Sequence, residues 1–70
     1  MDEDIQQEVQ NLRDLIHKHE GATARYLTER RRALNRLNKL GLPWPMIGRE
    51  IGITTQTAMR WAGKWYRRRR

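Results

Sequence analysis

The 70-residue sequence predicts an all-α protein in which a long N-terminal helix with coiled-coil-like spacing precedes a unit of three helices. Large or apolar residues recur at steps of three and four over residues 5–40, the spacing of a helix face that packs against a neighbour. Glycine and proline then punctuate the chain at intervals suited to short helices. Because no segment alternates apolar and polar residues for more than a few positions, we expect no strands.

A heptad-like seam runs along the N-terminal part. Its first residues are apolar and lie four and three positions apart: Ile5, Val9, Leu12 and Ile16. Further along, the seam becomes polar, so the coiled-coil interpretation applies to this first part. Gly21 weakens a helix by roughly 1 kcal/mol relative to Ala, and it either lies within one long helix or separates two. In the second case, the second helix begins near Ala22 or Thr23 and ends at Leu40.

The end of this helical region is marked by two residues. Gly41 suits the left-handed position that follows a helix, and Pro43 comes where a helix cannot continue. Prolines are well tolerated in a first helical turn, whose amides have no acceptor within the helix. The sequence therefore predicts a sharp turn and then a short helix over residues 44–51.

The last predicted helix begins at a threonine. Gly52 interrupts the chain, Ile53 returns to the core, and Thr54 is suited to the cap position, where a side-chain oxygen accepts a backbone amide. We expect the helix that follows to reach at least Trp61 and to extend as far as Tyr66 if nothing stops it.

The composition limits how much core this chain can build. Only 37% of its residues are apolar, and a domain this small buries a modest fraction of its surface. It therefore needs economical packing or a partner chain. We expect a homodimer formed through the apolar seam of the N-terminal helix, with Ile5, Val9, Leu12 and Ile16 at the interface, or a protein partner bound to the same acidic helix.

The groups needed for catalysis or metal binding do not form a pattern in the sequence. Without cysteine there is neither a disulfide nor a thiolate zinc site, and His17 and His19 lie on different faces of a helix. We therefore expect no metal, no cofactor and no enzymatic activity. No apolar run is long enough to span a membrane, and the acidic N-terminus does not resemble a secretory signal, so we expect no membrane association.

Charge divides the chain into two parts. Residues 1–22 carry six acidic and two basic residues, a balance of −4, whereas residues 23–70 carry thirteen basic and two acidic residues, a balance of +11. A sequence pI near 11.1 with this asymmetry is typical of nucleic-acid binding. We expect an acidic association helix over 1–22, a DNA-binding domain over 23–66 and a basic tail over 67–70, in a cytoplasmic protein associated with the nucleoid.

Residues 44–63, WPMIGREIGITTQTAMRWAG, resemble the helix-turn-helix signature of bacterial DNA-binding proteins. Two crossing helices need a small residue at the crossing and a glycine in the turn, and Gly48 and Gly52 stand at these positions. The apolar positions that close a three-helix core also agree: Ile47, Ile51, Ile53, Ala58 and Trp61. We expect Trp44, Trp61 and Trp65 to belong to this core rather than to stack on bases.

The preceding residues 29–44, ERRRALNRLNKLGLPW, extend the resemblance. They are similar to the first helix of the sigma-factor region-4-like and resolvase-type modules of small bacterial or phage proteins. The resemblance implies a tri-helical domain whose last helix enters the major groove of DNA. Pro43 departs from the pattern, because such modules usually place Ser or Thr there as a cap. The Met59-Arg60 pair also departs from it, because many relatives carry two polar residues there.

If the apolar residues of the last helix face inward, its outward face carries the candidates for base contacts: Thr55, Gln56, Met59 and Arg60. Gln56 can pair with adenine, Arg60 with guanine, and methyl groups of the other two with thymine. Threonines at such positions more commonly cap or solvate a helix, and we expect this of Thr54.

The candidates for contacts with the DNA backbone are basic or hydroxyl-bearing residues around that helix: Arg49, Thr57, Lys64, Arg67, Arg68, Arg69 and Arg70. Arg30, Arg31 and Arg32 point in three directions on a helix, so at most one or two of them touch DNA. We expect sequence-specific binding of duplex DNA by a dimeric transcriptional regulator. The alternatives are an accessory protein of recombination or packaging, and an adaptor or RNA binder whose basic half meets an acidic partner.

Overall fold

A computed structural model of the chain describes residues 2–18 and 23–64. These residues form four helices and no strand, which confirms the all-α prediction: α1 Glu3–Lys18, α2 Ala24–Lys39, α3 Trp44–Ile51 and α4 Thr55–Trp61. None of the four has the length and apolar character that crossing a membrane requires.

The first forty residues form two helices rather than one. α1 ends at Lys18, and α2 begins after Thr23, whose side-chain oxygen accepts a hydrogen bond from the Tyr26 amide at 3.2 Å. This satisfies one of the amides that the first turn of a helix leaves without a partner. α1 and α2 pack against each other, with Glu8 of α1 paired to Arg36 near the end of α2. Gly21, which the sequence placed at the break if two helices formed, lies outside the described residues.

The end of α2 is as the sequence predicts. Leu40 is its C-cap and Gly41 adopts a left-handed φ of 112°. The Leu42 amide then donates to the Leu37 carbonyl at 3.1 Å, and Leu42 is buried. This is the glycine-terminated helix end that couples a hydrogen bond to an apolar contact, and it turns the chain directly into α3.

A glycine ends α3 and a threonine begins α4 in the short connection between these helices. Pro43 caps α3 without a side-chain hydrogen bond, and Gly52 ends it with a φ of 92°. The Thr54 hydroxyl caps α4 by accepting from the Thr57 amide at 3.1 Å. α4 ends at Trp61 rather than near Tyr66, because Gly63 turns the chain with a φ of 78°.

Gly48 permits the close approach of α3 to the start of α4. A Cβ atom at this position would lie 2.6 Å from the carbonyl oxygen of Ile53. Real Cβ contacts are essentially never this short, and the obstructing atom is backbone, so a side chain here would force the two segments apart. The expected small residue at the helix crossing is therefore confirmed.

All four helices share one hydrophobic core. Its fully buried centre comprises Leu12 of α1, Leu34 and Leu37 of α2, and Ile47 of α3. α1 packs against both α2 and α3 and shares this core with the other helices, and the boundary that we placed at residue 22 stays a prediction.

This packing removes the reason for expecting a dimer through α1. Ile5, Val9 and Leu12 are only 8%, 4% and 1% exposed within a single chain, and Ile16 packs against the same core. The composition left a choice between economical packing and a partner chain, and the seam packs within one chain. The physical reason is that α2 turns back on α1, so the apolar face meets its own chain. The oligomeric state itself stays a prediction.

Candidate nucleic-acid interface

α4 is anchored on one face and open on the other. Ala58 is 0% exposed and Ala62 at the helix end is 3% exposed, whereas Gln56 and Arg60 are exposed on the opposite face. Thr55 and Met59, the other two predicted base-contacting residues, are half-buried. The structure thus gives α4 an outer ridge of one amide and one guanidinium, which are four residues and about one helical turn apart.

Gln56 has a side-chain amide with no hydrogen-bond partner in the part of the chain that the structure describes. On α1, by comparison, Gln7 donates to Asn11 at 3.1 Å and Gln10 donates to Asp14 at 3.0 Å. An amide that is exposed and not used by its own helix is available to an external donor and acceptor.

Thr57, which we expect to contact the DNA backbone, also takes part in the cap of α4. Its amide donates to the Thr54 hydroxyl oxygen, and the Thr54 hydroxyl donates to the Thr57 hydroxyl oxygen at 2.8 Å. The side chain is half-buried. Its contribution within the chain is therefore to hold the first turn of α4.

Among the described residues, arginines of α1 and α2 are paired with carboxylates. Arg13 donates from Nη2 to the Glu50 carboxylate at 3.1 Å and from Nε to the Glu50 carbonyl oxygen at 2.9 Å, which ties α1 to α3. Arg36 donates to both carboxylate oxygens of Glu8 at 3.0 and 3.1 Å. Arg25 lies 4.0 Å from Glu29 on the same helix.

Other cations have no carboxylate within 4.0 Å among residues 2–18 and 23–64: Lys18, Arg30, Arg31, Arg32, Lys39, Arg49 and Lys64. Arg49 and Lys64, predicted to contact the backbone, are exposed on α3 and just beyond α4. The predicted contacts Arg67, Arg68, Arg69 and Arg70 lie outside the described residues.

A groove between α2 and the end of α4 gathers three arginines. It has a volume of about 390 Å³, and its charged lining residues are Arg30, Arg31 and Arg60. Arg30 and Arg31 are therefore functional candidates that the sequence analysis did not separate from the rest of the arginine run. The i, i+4 spacing of Tyr26 and Arg30 was the only local signal, because the other ring beside Arg30 comes from α4.

Trp61 forms part of this groove as well as of the core. The carbon at the centre of the Arg30 guanidinium lies 3.8 Å from the centroid of the Trp61 ring. Trp44 and Trp61 both pack against the core, which confirms the expectation for these two residues; Trp65 lies outside the described residues.

No family model, curated protein or solved structure matches this chain.

Proposed function

We propose that this protein binds specific sequences of duplex DNA, with α3 and α4 acting as a helix-turn-helix and α4 entering the major groove. The observation that carries the proposal is the exposed ridge of Gln56 and Arg60 on a helix whose opposite face is locked into the core. A rigidly held helix can present side chains to base edges with little loss of conformational freedom on binding.

The chemistry of this ridge suits the major groove. A glutamine amide pairs with N6 and N7 of adenine, and an arginine guanidinium pairs with O6 and N7 of guanine. We assign these two roles to Gln56 and Arg60. The methyl groups of Thr55 and Met59, on the flank of α4, are placed to contact thymine methyl groups.

Cations around α4 supply the attraction to phosphates that does not depend on sequence. We assign Arg49 and Lys64 to this role, together with the basic run 67–70. Four adjacent arginines attract phosphates irrespective of the base sequence, so these residues would strengthen binding to all sequences alike. In this proposal, the biological role is transcriptional regulation, and an accessory role in recombination or packaging uses the same interface.

Selecting binding sites from random duplex DNA tests the proposal. The wild-type chain is expected to enrich a defined site. Gln56→Ala and Arg60→Ala should each then weaken binding to that site by about 1 to 3 kcal/mol and relax the preference at one base position, with much less effect on bulk DNA. Gln6→Ala is the matched control, because Gln6 is exposed on α1 and its side-chain amide likewise lacks a hydrogen-bond partner within the described chain.

Two results would contradict this assignment. If either variant loses the same factor on every DNA sequence, that residue contacts phosphate and reads no base. If the selection enriches no site, and the chain binds single-stranded RNA and heparin as tightly as duplex DNA, the basic half recognises polyanions in general. The adaptor or RNA-binding alternative would then replace the proposal.

A further inference from the structure

We propose that the groove between α2 and the end of α4 is a phosphate-binding pocket built on Arg30 and Arg31, and that it holds one backbone phosphate of the DNA that α4 contacts. That the bound phosphate belongs to DNA rests on the proposed function, whereas the pocket itself rests on the geometry below. Arg60 borders the groove on the α4 side.

Arg30 is held in one orientation by two aromatic rings. Its guanidinium lies 3.8 Å from the Trp61 ring centroid and 5.2 Å from that of Tyr26, and its Nη1 lies 3.5 Å from the Tyr26 hydroxyl. Stacking on aromatic faces fixes a planar cation without using its strongest hydrogen-bond donors. The guanidinium is therefore positioned in advance for an anion.

The same guanidinium is incompletely paired. Arg30 Nε is buried and has no hydrogen-bond partner, and no carboxylate lies within 4.0 Å of this arginine in the described residues. Burying a donor without a partner is unfavourable, and burying a cation without a counter-charge is more so. An anion in the groove would neutralise the charge at this position.

The two walls of the groove are fastened to each other. The Asn35 side-chain amide donates to the carbonyl oxygen of Arg31 on α2 at 3.0 Å and to that of Ala62 at the end of α4 at 2.9 Å. Gly63 follows directly, and an added Cβ there would lie 3.3 Å from Cδ of Arg31. The bridge and the glycine together set the distance between the arginines of α2 and the end of α4.

The lining of the groove favours a phosphate. No acidic residue among those that the structure describes lines the groove, and Thr28 adds a hydroxyl beside the arginines. Several guanidinium groups that line one groove can donate hydrogen bonds to the oxygens of one phosphate. Arg60 belongs both to the groove and to the exposed ridge of α4, so a duplex that meets this ridge brings its backbone next to the groove.

Arg31→Gln tests the pocket, and Arg32→Gln is its matched control. Both residues are exposed on α2 and neither has a carboxylate partner among the described residues, but only Arg31 lines this groove. The two variants lose the same charge from adjacent positions. Circular dichroism of both should match the wild type, since neither side chain is part of the core.

The first measurement uses inorganic phosphate as the probe. In ¹H–¹⁵N NMR spectra, titration should shift the Arg30 Nε–H and Trp61 indole signals in a saturable way in the wild type and in Arg32→Gln. Arg31→Gln should weaken this binding severalfold. Equal titration of the two variants, or no saturable shift in the wild type, would overturn the pocket; sulfate and chloride titrations identify an effect of ionic strength alone, which would also overturn it.

The second measurement uses duplex DNA over a range of salt concentrations. Arg31→Gln should reduce the slope of log affinity against log salt by about 0.9, the amount expected for one lost phosphate contact, and Arg32→Gln should leave the slope unchanged. Equal slopes in the two variants would overturn the DNA assignment of the pocket. If the wild type binds phosphate in the groove but no duplex at all, the pocket stands and the proposed function fails.

Discussion

α1 and α4 are both amphipathic, but the chain uses them in opposite ways. α1 contacts α2 and α3, buries most of its apolar seam against them, and is tied to both by ion pairs through Glu8 and Arg13. α4 packs on the same core through Ala58 and Ala62, yet its outer ridge is left exposed. Among the described helices, α1 and α4 do not pack directly against each other.

This difference places the exposed ridge on α4 and the covered apolar seam on α1. The apolar seam of α1 packs within its own chain, so the acidic helix contributes to the stability of the folded state. Its acidic side chains Asp2, Glu3, Asp4 and Asp14 are exposed. The groove of Arg30 and Arg31 is formed by α2 and α4 without any residue of α1. The protein thus separates its anionic surface from the cationic surface proposed to meet DNA.

The largest expected effect comes from Leu12, the most buried residue of the α1 seam. Leu12→Ala should lower the free energy of unfolding by about 2 to 5 kcal/mol, because it leaves a cavity in a core that has little else to fill it. Urea unfolding followed by circular dichroism measures the loss. Ile16→Ala is the control within the same seam and should cost less, because Ile16 is half-buried.

The same experiment discriminates between a core and an interface. If the seam is internal, the unfolding midpoint is independent of protein concentration for wild type and variants. An unfolding midpoint that rises with protein concentration, together with a smaller sedimenting mass for Leu12→Ala, would show that the α1 seam is a dimer interface. α1 and α4 would then both bind a partner, and the difference described above would not hold.

The next effect concerns the crossing of α3 and α4. Gly48→Ala should destabilise the protein by about 1 to 3 kcal/mol, since the added carbon would meet the Ile53 carbonyl oxygen and push α4 outward. The sign is informative, because Gly to Ala within a helix ordinarily stabilises by about 0.5 to 1 kcal/mol. Arg49→Ala, at the neighbouring exposed position, should change stability by no more than about 0.5 kcal/mol. A stabilised Gly48→Ala protein would mean that the crossing is looser than described.

The smallest effect is expected at the ion pair between α1 and α2. A double-mutant cycle of Glu8→Gln and Arg36→Gln should give a coupling of roughly 0.2 to 1 kcal/mol, because solvent screens a pair whose side chains are 20% and 54% exposed. Added salt should reduce the coupling further. A coupling that exceeds the cost of Leu12→Ala would mean that charge, and not apolar burial, holds α1 in place.

Much of the fold could be predicted because its signals are local. Gly41 and Thr54 act on amides and carbonyls within a few residues of themselves, so the chemistry of a glycine turn and a threonine cap placed the end of α2 and the start of α4. Helix periodicity likewise separated the exposed Gln56 from the buried Ala58. The predicted contact of Thr57 with the DNA backbone stays a prediction, because the same hydroxyl chemistry serves a cap and a phosphate equally well.

By itself, then, the sequence determined the amphipathic character of the helices, most of the boundaries from Leu40 onward and the excess of positive charge in the second part of the chain. It left open whether one helix or two precede Gly41. Only the tertiary structure decided what each face meets. The α1 seam has the same spacing whether its partner is a second chain or α2, and periodicity carries no information on that choice. Arg30 meets Trp61, and Arg36 meets Glu8, across 31 and 28 residues of chain. Such pairings depend on how the helices pack, and the groove exists because that packing brings α2 beside the end of α4.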